Sequence, residues 1–199
     1  DNIFPLDSGI IMNPKVWEAS GHVANFTDPL VECKNCHKRF HADHIGGTTC
    51  PECGGELTGA KLFNLMFKTF IGPIEEQGSI AYLRPETAQG MFVNFENVLI
   101  SERPRLPFGI AQIGKAFRNE ITPGNFIFRT LEFEQMEIEY FVRPEGWEDV
   151  FEEWKKEMWS WLVGIGADER RLKWRAHGKE ELSHYSKRTE DIEFEFPFG

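Results

Sequence analysis

Residues 117–141 read FRNEITPGNFIFRTLEFEQMEIEYF, and the fold turns on this stretch. Two runs of strand-forming residues flank Thr122-Pro123-Gly124-Asn125, a cluster with the chemistry of a turn. The pattern predicts an antiparallel hairpin. Successive strand side chains point to opposite faces, so residues two apart share one. The first run then sets Gln112, Arg118 and Glu120 on one side, with Ile113 and Phe117 on the other. The second aligns Arg129, Phe133, Gln135 and Glu137 opposite Phe128, Met136, Ile138 and Tyr140. The apolar set is expected to face a core.

The charged set is a strange surface to build for stability alone. Arginine offers a planar, permanently charged fork suited to phosphate and carboxylate oxygens. A phenylalanine between charged neighbours can stack on a flat ring such as a base. Carboxylates beside the arginines can accept from an ammonium or an exocyclic amine. A ligand with phosphates, a base and an amino group would engage all of them. The plainer reading is a solvated sheet face whose charges pair across the strands.

Composition sets the bounds. At 199 residues the chain suits one large domain, or one domain with an insertion. Its 41% hydrophobic and 14% aromatic residues supply a core and argue against disorder. No apolar run approaches the ~20 residues that span a membrane, and the first residues lack a signal-peptide pattern. A cytoplasmic protein is expected. A net charge of −10 disfavours a general, phosphate-driven nucleic-acid binder. An RNA partner would need local basic patches or another domain. The densest is Arg170, Arg171, Lys173 and Arg175, whose ordinary reading is a solvated strand or loop. The chain starts at Asp1 without a methionine, and a fragment of a longer protein is the expectation.

Cys33-x2-Cys36-x13-Cys50-x2-Cys53 is the strongest signal that rests on spacing alone. Two knuckles of this kind place four thiolates around a tetrahedral, structural Zn²⁺, with the Gly46-Gly47 and Gly54-Gly55 pairs allowing a tight backbone. Two disulfides, or redox-active pairs, are the rivals, and disulfides would need an oxidising compartment. His37, His41 and His44 lie inside the loop, so one could replace a cysteine as ligand. The segment is read as a zinc-binding insertion over residues 31–60.

Elsewhere, Ile10-Ile11-Met12 reads as a strand stopped at Pro14, and Ile80–Leu83 as another. Pro85 is placed to begin a helix, with Glu86 in its first turn and Ala88, Met91, Phe92, Phe95, Val98 and Leu99 as its packing face. Glu86 there would be an ordinary end-of-helix carboxylate. His22 reads as a structural histidine. Trp147–Leu162 is expected as a core-packing helix ended by Gly164 and Gly166, followed by strands at Leu172–Ala176 and Ile192–Phe196 with His184-Tyr185-Ser186 in the loop between.

FRNE, the turn, Arg129 and the phenylalanine of LEFEQMEIEYF together resemble motif 2 of the class II aminoacyl-tRNA synthetases. RPETAQG at Arg84 to Gly90 and WEASGHV at Trp17 to Val23 narrow the resemblance to the homodimeric glycyl-tRNA synthetases. It runs from about Val16 to the C-terminus, apart from the cysteine-rich segment. The resemblance implies an α+β fold, a class II synthetase-like antiparallel β-sheet flanked by helices, with residues 1–199 forming part of the catalytic domain and motif 2 at 117–141. The helix that precedes motif 1, motif 3 and an anticodon-binding domain are not found in this sequence.

The same resemblance implies a reaction and its residues. Glycine and ATP give glycyl-adenylate and pyrophosphate, and the acyl group passes to the 3′ end of tRNA(Gly). Arg118 would bridge the glycine carboxylate and the α-phosphate. Arg129 would hold the γ-phosphate, and Phe133 would stack on adenine. Glu120 would contact adenine or the tRNA terminal adenosine. Glu86 and Glu137 would receive the ammonium. Mg²⁺ would accompany ATP, with ligands mostly outside this chain, and the full protein would be a homodimer. A synthetase-like accessory protein without activity, or a zinc-ribbon binding module, would account for parts of the pattern.

Overall fold

The computed structural model describes residues 2–124, 126–183 and 185–197, so Asn125 of the turn and His184 of the later loop lie outside the described residues. The fold is α+β, as expected, and separates into two compact units, residues 1–142 and 143–199.

The first unit is built from small sheets. β1 (Ile3–Pro5) runs parallel to β8 (Phe108–Phe117), which pairs antiparallel with β9 (Glu132–Phe141). The predicted hairpin is therefore present, with one parallel neighbour added. β2 (Ile11–Met12) and β6 (Lys68–Phe70) flank β7 (Ile80–Leu83) in a second antiparallel sheet. β4 (Arg39–His41) and β5 (Lys61–Asn64) flank β3 (Thr27–Glu32) in a third. Pro14 does more than stop β2: it occupies the start of α1 (Pro14–Ala19), capped by the Asn13 side chain. Gly21, at φ 81°, reverses the chain into the single turn of α2 (His22–Asn25).

The helix predicted from Pro85 begins later. α3 (Ala88–Val93) and α4 (Phe95–Glu102) are separate helices meeting at Asn94, whose side chain donates to Gly90 O at 2.9 Å. Phe95, Val98 and Met91 pack with Phe108, Ile110 and Phe141, which forms the main apolar core.

The hairpin faces the opposite way from the sequence expectation. Phe108, Ile110, Gln112 and Ala116 of β8 are buried, while Ile113 is 71% exposed and Met136 56%. Ile138 and Phe128, also assigned to a core, are exposed. The polar face turns inward because buried polar groups wait for it. Arg84, 2% exposed, donates from Nε to Lys115 O at 2.7 Å and from Nη1 to Ser8 O at 2.8 Å. Gln112 completes this knot, its amide oxygen 2.7 Å from Arg84 Nη1 and its nitrogen 2.9 Å from Ser8 Oγ. A polar face with its partners in place can be buried at little cost. Gly114 and Gly90 make room: a Cβ would lie 2.5 Å from Arg84 Nη2 at the first and 2.0 Å from Ser8 Oγ at the second.

The second unit sets α5 (Trp147–Gly164) beside β10 (Leu172–Ala176) and β11 (Glu190–Phe194), which pair antiparallel. No residue of α5 is fully buried. A two-stranded ribbon is too narrow to cover the helix stripe, which leaves Met158 and Trp161 partly exposed. Charge fills the gap: Lys155 Nζ is 2.6 Å from Glu190 and 4.7 Å from the Trp174 ring centre. The basic run is neutralised in place. Arg170 pairs with Asp168, Lys173 with Glu193, and Arg175 with Glu181, Asp191 and Glu193, while Arg171 lies over Phe194.

Candidate active site

β8 ends at Phe117, and Arg118 carries the ladder one bond further, its N–H donating to Leu131 O at 3.0 Å. The Arg118 guanidinium lies over two rings, 5.4 Å from the centre of Phe26 and 5.3 Å from that of Phe133. Its Nε donates to Pro85 O at 3.2 Å. Among the described residues it makes no ion pair with a carboxylate. A half-buried cation held by rings and a carbonyl keeps its outer N–H groups for an anion.

Beneath it stands a group of carboxylates. Glu86 lies ahead of α3 and not in its first turn, so the helix-end reading does not hold; its partners are His22 and Gln89. Burial pushes the Glu86 carboxyl up, but hydrogen bonds from His22 and Gln89 and the charges of His22 and Arg118 leave it below the usual glutamate range. Glu137 accepts from the hydroxyl of the fully buried Thr87. Glu139, two residues along the same face, is pushed up to about 7, chiefly by burial and then by Glu137 and Glu86. Gln89 Oε1 and Gln135 Oε1 are buried acceptors with no donor. These carboxylates and amide acceptors suit a cationic ligand, while the buried Trp17 Nε1 beside His22 is a donor with no acceptor.

Glu120 and Arg129 lie outward along the hairpin arm. They face each other at 3.5 Å, with Glu120 mostly buried and Arg129 42% exposed. The backbone closes beneath them through the paired bridge of Gly124 and Arg129. Arg118 thus meets Phe133 and acts on the charge of Glu86, Glu137 is tied to Thr87 next to Glu86, and Glu120 pairs with Arg129.

Sequence reasoning passed over Thr87, Gln89, Glu139 and the role of Arg84. Glu139 was legible, since strand alternation puts it on the face of Glu137. The others depend on contacts across distant segments.

The cysteines form a separate centre. Their sulfurs all lie within 4.8 Å of one another, with Cys33 to Cys53 at 3.5 Å and Cys36 to Cys50 at 3.7 Å. All four are free thiols, so the disulfide reading fails. A tetrahedral Zn²⁺ with bonds of about 2.3 Å needs sulfurs roughly 3.8 Å apart, and the donor set fits. The two knuckles repeat each other: His37 N donates to Cys33 O and Gly54 N to Cys50 O, and each of these residues has a positive φ, 56° and 71°. Gly54 earns the role expected of it; Gly46 and Gly47 do not, since neither has positive φ. The Gly55 backbone amide, followed by Asn35, draws the Cys53 thiol down to about 6. His41 is instead stacked on His44, with Asp28 3.4 Å away, apart from the sulfur cluster.

Comparison with known proteins fits this geometry. The chain is 57% identical over its whole length to a glycine–tRNA ligase of Treponema denticola, covering 45% of that protein. It is 52% identical, again over its whole length, to one of Streptomyces coelicolor, covering 47% of it. The chain thus spans just under half the length of these curated relatives. Its fold is shared with the RNA-binding domain of threonyl-tRNA synthetase from Cryptosporidium parvum, at a TM-score of 0.55, 16% identity, 91% of this chain and 35% of that one. Residues 68–198, which carry Glu86, Arg118, Phe133 and Glu137, match the tRNA synthetase class II core domain (G, H, P, S and T); the chain belongs to that family.

Proposed function

We propose that this chain carries the glycine-activating site of a glycine–tRNA ligase. The observation behind the reading is Arg118, a half-buried cation without a carboxylate partner among the described residues, set beside a group of carboxylates. The name borne by the relatives at 52–57% identity supports it.

Joining glycine to ATP brings two anions together, because the glycine carboxylate attacks the α-phosphorus. Arg118 answers that repulsion by binding both groups, so that positioning and charge neutralisation supply the catalysis. Glu86 and Glu137 take the ammonium and set the direction of the carboxylate. Phe133 stacks on adenine. Arg129, released from Glu120, binds the γ-phosphate, and Glu120 then meets adenine or the terminal adenosine of tRNA(Gly). Mg²⁺, with ligands mostly outside this chain, would offset the charge of the triphosphate. Residues 1–199 form part of the catalytic domain, with 31–60 as its zinc insertion held by Cys33, Cys36, Cys50 and Cys53. The whole protein works in the cytoplasm as a homodimer. Among the described residues no helix is long and apolar enough to cross a membrane.

The test is glycine-dependent exchange between ATP and pyrophosphate in the full-length protein. Exchange with glycine, and its loss by a factor of roughly 100–1,000 in Arg118→Ala, is expected when a group that stabilises transition-state charge is removed. Normal turnover in that variant would remove Arg118 from its role.

A further inference from the structure

The segment WEASGH holds the contact that the functional reading leaves unused. Ser20 Oγ lies 2.8 Å from His22 Nδ1, and His22 Nε2 lies 3.4 Å from Glu86 Oε1. The three groups form a line that ends on a carboxylate assigned to the substrate ammonium. We propose that His22 is the positioning residue for Glu86, its Nε2–H turning that carboxylate toward the ammonium of the bound amino acid. The inference rests on the reading of Glu86 given above.

Several independent features hold the imidazole where it is. Trp17, wholly buried, meets its ring edge-on at 5.5 Å between centres, and Phe26 closes the other side at 5.4 Å. The backbone beneath is clamped by Asn64, whose Nδ2 donates to His22 O at 3.1 Å and to Val23 O at 2.9 Å. Gly21 supplies the left-handed turn that brings His22 to Glu86. The same Phe26 ring carries Arg118. One short segment thereby steadies the groups assigned to both ends of the amino acid.

The hydrogen-bond chemistry has a definite direction. A carboxylate only accepts, so the imidazole meets Glu86 with a proton on Nε2, while Ser20 Oγ anchors Nδ1 at 2.8 Å. The donor fixes which way the carboxylate faces. At 3.4 Å the contact has room to tighten.

The experiment compares His22→Leu, His22→Gln and His22→Asn in the full-length protein by glycine-dependent pyrophosphate exchange. Loss of a hydrogen bond to a charged group is expected to raise the glycine KM roughly tenfold or more in His22→Leu, with the ATP KM unchanged. Gln places its amide nitrogen near the position of Nε2 and should restore most of the glycine KM. Asn places its own near Nδ1 and should not. An unaltered glycine KM in His22→Leu would overturn the assignment, as would glycine and ATP constants rising together, the mark of a packing role. So would a Gln variant as impaired as the Leu one. Absence of glycine-dependent exchange in the unsubstituted protein would instead overturn the functional reading itself.

Discussion

The hydroxyl of Thr87 donates to the carboxylate of Glu137, joining the segment before α3 to the middle of β9. Thr87 is wholly buried, so this bond is made away from water. Thr87→Val keeps the shape and removes the donor, leaving the carboxylate short of one partner. A loss of about 1–2 kcal/mol is expected, which lowers the melting temperature by several degrees. An unchanged melting curve would mean that Glu137 finds another donor at once.

Arg84 poses a sharper case. Its fork reaches Lys115 O, Ser8 O and Gln112 together, a geometry that a lysine cannot reproduce. Arg84→Lys should cost about 2–4 kcal/mol, seen as a lower urea midpoint at constant slope. Gly114→Ala, whose methyl would press on Arg84 Nη2, should destabilise through the same knot. The double variant should then lose less than the sum of the two.

Glu139 gives the fold a pH dependence of known sign. Its carboxyl is pushed from the ordinary 4.5 to about 7, first by burial and then by Glu137 and Glu86. A raised folded-state value means that the contribution is fully present below about 4.5 and is lost as pH rises through about 7. Glu139→Gln should match the parent near pH 4 and exceed it near pH 8 by about 1–2 kcal/mol, after allowance for partial exposure. Unfolding free energies at the two pH values check this; equal gaps at both would sink the idea.

Zinc removal should act locally. A chelator is expected to unfold residues 31–60, where Val31, Cys33, Cys50 and Leu57 form their own small core. The separate core of Met91, Val98, Phe108 and Ile110 should persist. Hydrogen exchange resolves the two: protection lost at Cys33 and Leu57 but kept at Ile110. Loss at both would show that the insertion supports the hairpin.

What was legible in the sequence followed short-range rules. Alternation placed Arg118's neighbours Phe133, Gln135 and Glu137 on one face, and CxxC spacing placed the four sulfurs together. Failures came where distant segments decide. Ile113 and Met136 were assigned to a core because apolar residues usually are buried, yet Arg84 and Thr87, remote in sequence, draw the polar face inward. Glu86 was read as a helix-end carboxylate because Pro85 is a good helix start. The backbone stays non-helical until Ala88, and His22 and Gln89 take hold of Glu86.

Of the six tryptophans, five fall in residues 143–199, leaving Trp17 alone in residues 1–142. That indole is fully shielded from water and touches the imidazole beside Glu86. The candidate site consequently carries its own fluorophore: shielded emission is blue-shifted, and an adjacent imidazole modulates its yield. The difference in emission between the parent and Trp17→Phe isolates this one residue's light. Following it as glycine is added would report on the surroundings of this imidazole without a label.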